Sequence, residues 1–207
     1  MLGILGKKMK MSQVFTDNGD CVPITCINAG PCFVIQVKNK EKDGYQAIQL
    51  GFEDKKEKRM TKALLGHFKK SGVSGKKIVK ELLVVSGKYE VGQKLEVGMF
   101  KKGDFVDVTG QSIGKGFQGG MKRWGWSGGP KTHGSMHHRR PGSIGATTTP
   151  GRVLRGHHLP GHMGNRKVTI QNLKVIQVDR ENNILLVKGA VPGHKGSYLM
   201  IRKAKKK

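Results

Sequence analysis

The feature that most limits what this chain can fold into is a run of 71 residues, 108–178, without a single Asp or Glu. This run carries 11 Lys and Arg, whereas residues 1–107 carry 20 basic and 12 acidic side chains. From residue 110 to residue 164, 15 of the 55 residues are Gly, and no hydrophobic periodicity is sustained. Such a segment cannot bury enough apolar surface to offset its ordering entropy. We therefore predict that residues 110–164 form a long irregular basic extension that becomes ordered on a polyanion.

The overall charge indicates the kind of partner. The chain has 39 Lys and Arg against 14 Asp and Glu, a formal net charge of +25. Such an excess opposes a compact state by self-repulsion unless a polyanion neutralises it. No apolar run approaches the roughly 18 to 20 residues of a membrane-spanning helix. We predict a nucleic-acid partner, no membrane partner and no small-molecule substrate.

The three cysteines indicate a reducing compartment, because their number is odd and they lie in or beside a predicted strand. The spacings between Cys21, Cys26 and Cys32 do not fit a paired CxxC zinc site. The apolar run at the amino terminus is too short for a signal peptide, and Lys7 and Lys8 follow it instead of preceding it. We expect reduced thiols in the core of a protein that stays in the cytoplasm.

Most of the remaining sequence is typical of short β-strands separated by turns. Apolar residues alternate, or β-branched and aromatic residues cluster, in Cys21–Ala29, Phe33–Lys38, Tyr45–Phe52, Phe105–Thr109, Val168–Asp179, Ile184–Lys188 and Tyr198–Arg202. Turn signals occur at residues 17–20, 41–44 and 180–183. Because strands lie on both sides of the basic extension, the pattern predicts a mainly β fold. Residues 1–109 and 165–207 are predicted to form a closed barrel that the extension interrupts.

A different pattern occupies about residues 55–90. Met60, Leu64 and Phe68 recur every four residues, and Thr61 could cap the start of a helix. We predict a small, partly helical insertion in the barrel core. Its basic run, residues 55–59, is either a solvated face or an RNA contact, and the sequence leaves both open.

The hexapeptide from Gly114 to Gly119 matches the GxGxxG pattern of dinucleotide-binding folds. That fold also needs a helix beginning there and a carboxylate about 20 residues later. Further glycines and Trp124 follow instead, and no acidic residue occurs before Asp179. A Walker A loop is excluded because Gly116 replaces the required Ser or Thr. We predict no nucleotide cofactor, nor any other cofactor.

Histidines in the acid-free run could indicate a metal site or a general base. The six are His133, His137, His138, His157, His158 and His162. Metal and phosphoryl-transfer chemistry usually needs carboxylates to hold the ion or orient a ligating His, and this run has none. Imidazoles beside Arg139 and Arg140 suit phosphates and bases better. We predict RNA contact, with no metal and no catalytic residue.

Both tryptophans of the chain, Trp124 and Trp126, lie among Lys, Arg and Gly. They are either anchors that tie the extension to the barrel or platforms on which bases stack, and Phe117 has the same two interpretations. Residues 202–207 form a basic tail that adds nonspecific affinity for RNA.

Several motifs follow one another along nearly the whole chain: Gly6–Phe15, Gly66–Phe68, Asp107–Gly119, Pro141–Gly145 and Leu186–Gly193. Together they resemble the bacterial large-subunit ribosomal protein L-three family. The resemblance implies a six-stranded closed barrel similar to the second domain of translation factors. It also implies a structural constituent of the large subunit that binds rRNA early in assembly, near the 3′ end of that RNA.

The resemblance further implies that the extension runs toward the peptidyl transferase centre, with Ser143–Pro150 as its tip. Neighbouring large-subunit proteins, the ones called L-fourteen and L-nineteen, are expected partners, and the location would be the cytoplasmic ribosome or its organellar equivalent. Some relatives carry a methylated Gln in the tip, but residues 146–149 here are Ala-Thr-Thr-Thr, so we expect that modification to be absent.

The candidate rRNA-binding residues are therefore basic, aromatic and hydroxyl side chains in or beside the extension. They are Lys115, Lys122, Arg123, Trp124, Trp126, Lys131, His133, His137, His138, Arg139, Arg140, Ser143, Thr147, Thr148, Thr149, Arg152, Arg155, His157, His158, Arg166 and Lys167. Two rival hypotheses are an RNA-processing enzyme that uses the histidines and a free RNA chaperone. The first predicts loss of turnover on changing one His, and the second predicts a protein spread over many RNAs.

Overall fold

A computed structural model describes residues 3–16, 18–83 and 89–206 of the protein. Twelve strands, three α-helices and two single-turn 3-10 helices, Glu57–Arg59 and Val97–Met99, make up its regular structure in these ranges. The strands are β1 Gly3–Phe15, β2 Cys21–Ala29, β3 Cys32–Lys38, β4 Ala47–Asp54, β5 Lys76–Leu83, β6 Lys94–Leu95, β7 Phe105–Gln111, β8 Gly116–Gln118, β9 Gly161–Met163, β10 Lys167–Asp179, β11 Ile184–Lys188 and β12 Tyr198–Lys203. The helices are α1 Lys40–Asp43, α2 Lys62–Ser71 and α3 Gly120–Trp124.

Six antiparallel strands form a closed barrel in the order β1, β12, β7, β10, β11, β2. Alternate residues of each strand point inward, so Val106 and Val108 of β7 are fully buried, as are Leu185 and Val187 of β11. Closure pairs every strand on both sides and leaves no open edge. The prediction of a mainly β, six-stranded closed barrel is confirmed.

Close packing of the barrel depends on Gly110, which lies on the inward-facing side of β7. A Cβ atom at this position would come within 2.6 Å of the Leu199 side chain on β12. Gly110 therefore lets a large apolar side chain fill the interior at a point where two strands meet.

A second, four-stranded antiparallel sheet has the order β5, β4, β3, β6. Val34, Leu50 and Leu82 of this sheet belong to the same buried apolar cluster as the barrel residues Ile4 and Ile201. The runs predicted at residues 33–38 and 45–52 are therefore strands, but they belong to this sheet and not to the barrel. Strand β5 also lies within the segment predicted as a partly helical insertion.

The predicted helical pattern corresponds to α2. Phe68 is its buried residue, and the Thr61 hydroxyl accepts a hydrogen bond from the Leu64 amide at 3.4 Å, as expected for an N-cap. Gly72, with a φ of 65°, ends the helix in the left-handed conformation that glycine adopts without strain. The turn predicted at residues 41–44 consists of α1 and Gly44 and joins β3 to β4.

The other two predicted turns join neighbouring barrel strands. Residues 180–183 connect β10 to β11, and Asp179 stabilises this turn by accepting hydrogen bonds from the Glu181 and Asn182 amides. The turn at residues 17–20 connects β1 to β2, although Asp17 itself lies outside the described residues.

The carboxylate of Glu53 links the second sheet to the barrel. It accepts hydrogen bonds from Lys7 of β1 at 2.8 Å and from the hydroxyl of Tyr198 of β12, and it pairs with Lys77 of β5 at 3.3 Å. The hydrogen bonds from Lys7 and Tyr198 lower the pKa of Glu53 to about 2. Glu53 has a φ of 59°, a conformation that is costly for a non-glycine residue. This ionic cluster offsets part of that cost.

The cysteines are all free thiols but differ in environment. Cys32 is buried, Cys26 is partly buried and Cys21 is exposed. The prediction of thiols in a core therefore holds for Cys32 and is wrong for Cys21, which lies next to the turn of the β1–β2 hairpin, opposite Phe15. Among the described residues, no helix is long and apolar enough to cross a membrane.

Candidate nucleic-acid interface

The chain divides into two compact units. The barrel unit comprises residues 1–112 and 167–207 and includes both large sheets, and the extension unit comprises residues 113–166. The base of the extension unit is a two-stranded ladder in which Gly116 pairs with Met163 and Gln118 with Gly161. The Lys115 amide also donates a hydrogen bond to the Met163 carbonyl at 2.9 Å. This ladder brings the two ends of the extension unit together.

Helix α3 follows the first strand of that ladder and positions Trp124. The Trp124 ring stacks on His158 with ring centroids 4.0 Å apart and planes 5° from parallel. Its Nε1–H donates a hydrogen bond to the Leu159 carbonyl at 2.9 Å, and Arg123 donates to the same carbonyl at 2.6 Å. The Arg123 guanidinium also lies 4.9 Å from the centre of the Trp124 ring. These contacts fasten α3 to residues 158 and 159.

Trp126 packs its ring against the first residue of α3. A Cβ atom at Gly120 would lie 2.1–2.2 Å from three atoms of the Trp126 ring, so only glycine allows this approach. Within the extension unit, both indoles are therefore anchors that hold its chain segments together. Trp124 nevertheless keeps 43% of its surface exposed, which leaves room for a base to contact it.

Gly128 and Gly129 let a second pair of segments approach each other closely, and a Cβ atom at Gly128 would lie 2.5 Å from the His138 carbonyl oxygen. The Gly129 amide donates to the His137 carbonyl at 3.1 Å, and a Cβ atom at Gly129 would lie 2.4 Å from that oxygen. The His138 Nδ1–H donates to the Pro130 carbonyl at 2.9 Å. Backbone contacts of this kind fix residues 128–130 against residues 137–138 without an apolar core.

A cleft of about 570 Å³ opens between these fixed segments. The residues with side chains that line it are Trp126, His137, Arg140, Ser143, His157 and His158. Glycines at positions 128, 129, 142 and 156, together with Pro141, complete the lining. Every polar side chain of this lining can donate a hydrogen bond, and none is a carboxylate.

The electrostatics of the extension unit follow from its sequence. It holds nine Lys and Arg and no Asp or Glu, so no carboxylate within it can neutralise them. Arg139, Arg140, Arg152 and Arg155 are exposed, and in the described part of the chain their guanidinium groups make no ion pair or hydrogen bond. In the barrel unit, by contrast, Lys7, Lys38 and Lys76 pair with carboxylates. The extension unit thus presents a one-sign surface.

The tip, residues 143–150, is exposed throughout. The Ser143 hydroxyl donates to the Gly145 carbonyl at 2.9 Å, and Thr147 and Pro150 form an isolated bridge. These local contacts give the tip a defined turn while leaving its threonine hydroxyls accessible.

The predicted rRNA-binding residues are exposed, except Arg123 and Trp126, which are partly buried. All lie in the extension unit except Lys167, the first residue of β10. The cleft brings together Trp126, His137, Arg140, Ser143, His157 and His158, whereas Lys115, Lys131 and His133 do not line it. That these residues contact RNA stays a prediction.

The sequence did not indicate Gly120, which packs against the Trp126 ring, or Leu159, whose carbonyl accepts a hydrogen bond from Trp124. Gly120 acts by having no side chain and Leu159 by its carbonyl, so neither carries a signal that a residue pattern could reveal. In the part of the chain that the structure describes, no three His, Cys, Asp or Glu side chains cluster in a way that could hold a metal ion.

Comparison with known proteins identifies the family. The profile of the family described as Ribosomal protein L3 matches residues 35–183. The large ribosomal subunit protein uL3 of Thermotoga petrophila is 53% identical over 203 residues, covering 98% of this chain and 97% of the relative. The proteins of the same name from Pelotomaculum thermopropionicum and a Geobacillus species are 52% and 53% identical over 205 residues, covering 99% of this chain and 97% of each relative. The chain therefore belongs to the ribosomal protein L3 family, a structural component of the large ribosomal subunit and not an enzyme.

Proposed function

We propose that this protein binds large-subunit rRNA directly and that the extension unit is its principal RNA contact. The observation that carries the proposal is the one-sign surface of residues 113–166, which holds nine cationic side chains and no carboxylate. Cations on an exposed, glycine-rich backbone can approach phosphates closely and displace their counterions. In the barrel unit, carboxylates pair with Lys7, Lys38 and Lys76, and this unit docks on the rRNA mainly by shape.

The role we propose is to stabilise folded rRNA during subunit assembly in the bacterial cytoplasm. Binding is early and near the 3′ end of the large-subunit RNA, and the tip at residues 143–150 extends toward the peptidyl transferase centre. The neighbouring proteins are those called L-fourteen and L-nineteen. The family membership and the exposed, acid-free tip support this proposal.

A charge-matched comparison tests where the RNA contact lies. One variant changes Lys115, Lys131, Arg152 and Arg155 to Gln, and its control changes Lys40, Lys62, Lys69 and Lys70 to Gln. All eight side chains are exposed, so each variant loses four charges with little effect on the fold. Binding to a transcript of the 3′ portion of the large-subunit rRNA is measured at several salt concentrations.

In the extension variant, the plot of log affinity against log salt concentration should have a slope shallower by roughly 3, since each phosphate contact contributes about 0.7 to 0.9. The control should lose much less. Equal losses in the two variants would contradict an extension-centred contact, and equal affinity for a 5′ transcript would contradict the 3′ location. Cross-linking in assembled subunits tests the two neighbouring proteins.

A further inference from the structure

The cleft of the extension unit has the size and the chemistry of a ligand site. Its volume of about 570 Å³ falls within the roughly 300–1,000 Å³ of sites that enclose small molecules. It lies entirely among residues 126–158. A surface that only neutralised phosphates would need no such concave cleft, because exposed charges along the backbone suffice for that.

The walls of the cleft offer three kinds of contact with a nucleotide. Trp126 provides an aromatic surface, on which any base can stack. Arg140 provides a planar guanidinium that can bind a phosphate with two parallel hydrogen bonds. His137, His157 and His158 provide ring nitrogens that can donate to base edges or phosphate oxygens.

The cleft is also fixed in shape by contacts that involve its lining residues. Trp126 rests on Gly120, and His158 stacks on Trp124 at 4.0 Å. The backbone of His137 is held by the Gly129 amide at 3.1 Å. Because these groups are already ordered, a ligand that enters the cleft loses little affinity to ordering them. Arg140 is exposed and is free to reach a phosphate at the rim.

We infer that this cleft receives a single unpaired nucleotide of the rRNA, with its base against Trp126 and its phosphate on Arg140. Stacked bases inside a duplex cannot reach such a cavity, so the nucleotide comes from a loop, a bulge or a junction. The inference rests on the proposed function, since it names the nucleotide-level contact within the same RNA-binding unit. It assigns the cleft a recognition role in addition to charge neutralisation.

Adjacent arginines provide a matched test. Arg140 lines the cleft and Arg139 does not, yet both are exposed and each change to Gln removes one charge. The full-length protein, Arg140→Gln and Arg139→Gln are each titrated with a full-length transcript of bacterial large-subunit rRNA. Each complex is then irradiated with ultraviolet light, and the cross-linked residues are identified by mass spectrometry.

We expect Arg140→Gln to weaken binding about tenfold, as for loss of a charge-assisted contact, and Arg139→Gln about threefold or less. Cross-links at Trp126 or His157 should join one RNA position and decrease in Arg140→Gln alone. Equal losses, with cross-links only outside the cleft, would overturn the inference while leaving direct RNA binding intact. Failure of the unaltered protein to bind the transcript would overturn the proposed function and the inference together.

Discussion

Replacing the carboxylate of Glu53 tests how the second sheet is fastened to the barrel. The change Glu53→Gln keeps the size of the side chain and the left-handed backbone, so it isolates the charge. Folding lowers the pKa of this carboxyl from its ordinary 4.5 to about 2. At about 1.36 kcal/mol per pKa unit, that difference sets a ceiling of roughly 3.4 kcal/mol. Because the Glu53 side chain is 31% exposed, solvent screening reduces the expected loss to about 1–2 kcal/mol.

The pH dependence of this loss has a definite sign. A carboxyl with a lowered pKa in the folded state stabilises the protein fully above about pH 5, and that contribution disappears as the pH falls toward 2. Urea unfolding of both proteins should therefore show Glu53→Gln less stable by about 1–2 kcal/mol at neutral pH. The gap should narrow steadily in acid, because the unaltered carboxyl also loses its charge there.

A control variant and a clear negative result complete the experiment. Glu41 is exposed on α1, so Glu41→Gln should change the free energy of unfolding by less than about 0.5 kcal/mol. If Glu53→Gln matched the unaltered protein at neutral pH, or if the difference stayed constant down to about pH 2.5, the charge of Glu53 would contribute nothing to stability.

Three further predictions concern single positions. Arg152→Gln should lower the salt slope of rRNA binding by about 0.7 to 0.9, and an unchanged slope in filter-binding titrations would show that this side chain touches no phosphate. Gly120→Ala should displace Trp126, because its Cβ would lie 2.1 Å from the ring. Tryptophan fluorescence should shift while the melting temperature of the barrel stays the same, and an identical spectrum would disprove the contact. A thiol reagent should modify exposed Cys21 in the native protein and Cys32 only on unfolding, since burial raises the pKa of Cys32 to about 12. Rapid reaction of Cys32 in the native protein would contradict this prediction.

Much of the barrel could be predicted because its strands show the alternation of apolar and polar residues that is typical of strands with one buried face. Alternation in Cys21–Ala29 and the buried valines of β7 indicate strands with one buried face. The same signals say nothing of which strands pair. The pattern predicts strands at residues 33–38 and 45–52, but their place in a separate sheet depends on long-range packing, which a local pattern does not contain.

The extension was predictable as a segment and not as a structure. Its missing carboxylates and many glycines show that charge and backbone dominate it. Its internal order depends on backbone carbonyls, such as that of Leu159, and on the contact between Gly120 and Trp126. The cleft arises from these contacts, so no spacing of residue types could have revealed it.

The pairing of β1 with β12 has a consequence for how the protein is made. During synthesis from the amino terminus, β1 and β2 can form their hairpin at once, but their outer neighbours β12 and β11 leave the translating ribosome only after about 150 further residues. Until then both edge strands of the hairpin are unpaired and can pair with strands of another chain. The extension emerges during this interval, so its charge exists before the barrel is closed. Like-charge repulsion between nascent chains then opposes their association until the last strand arrives.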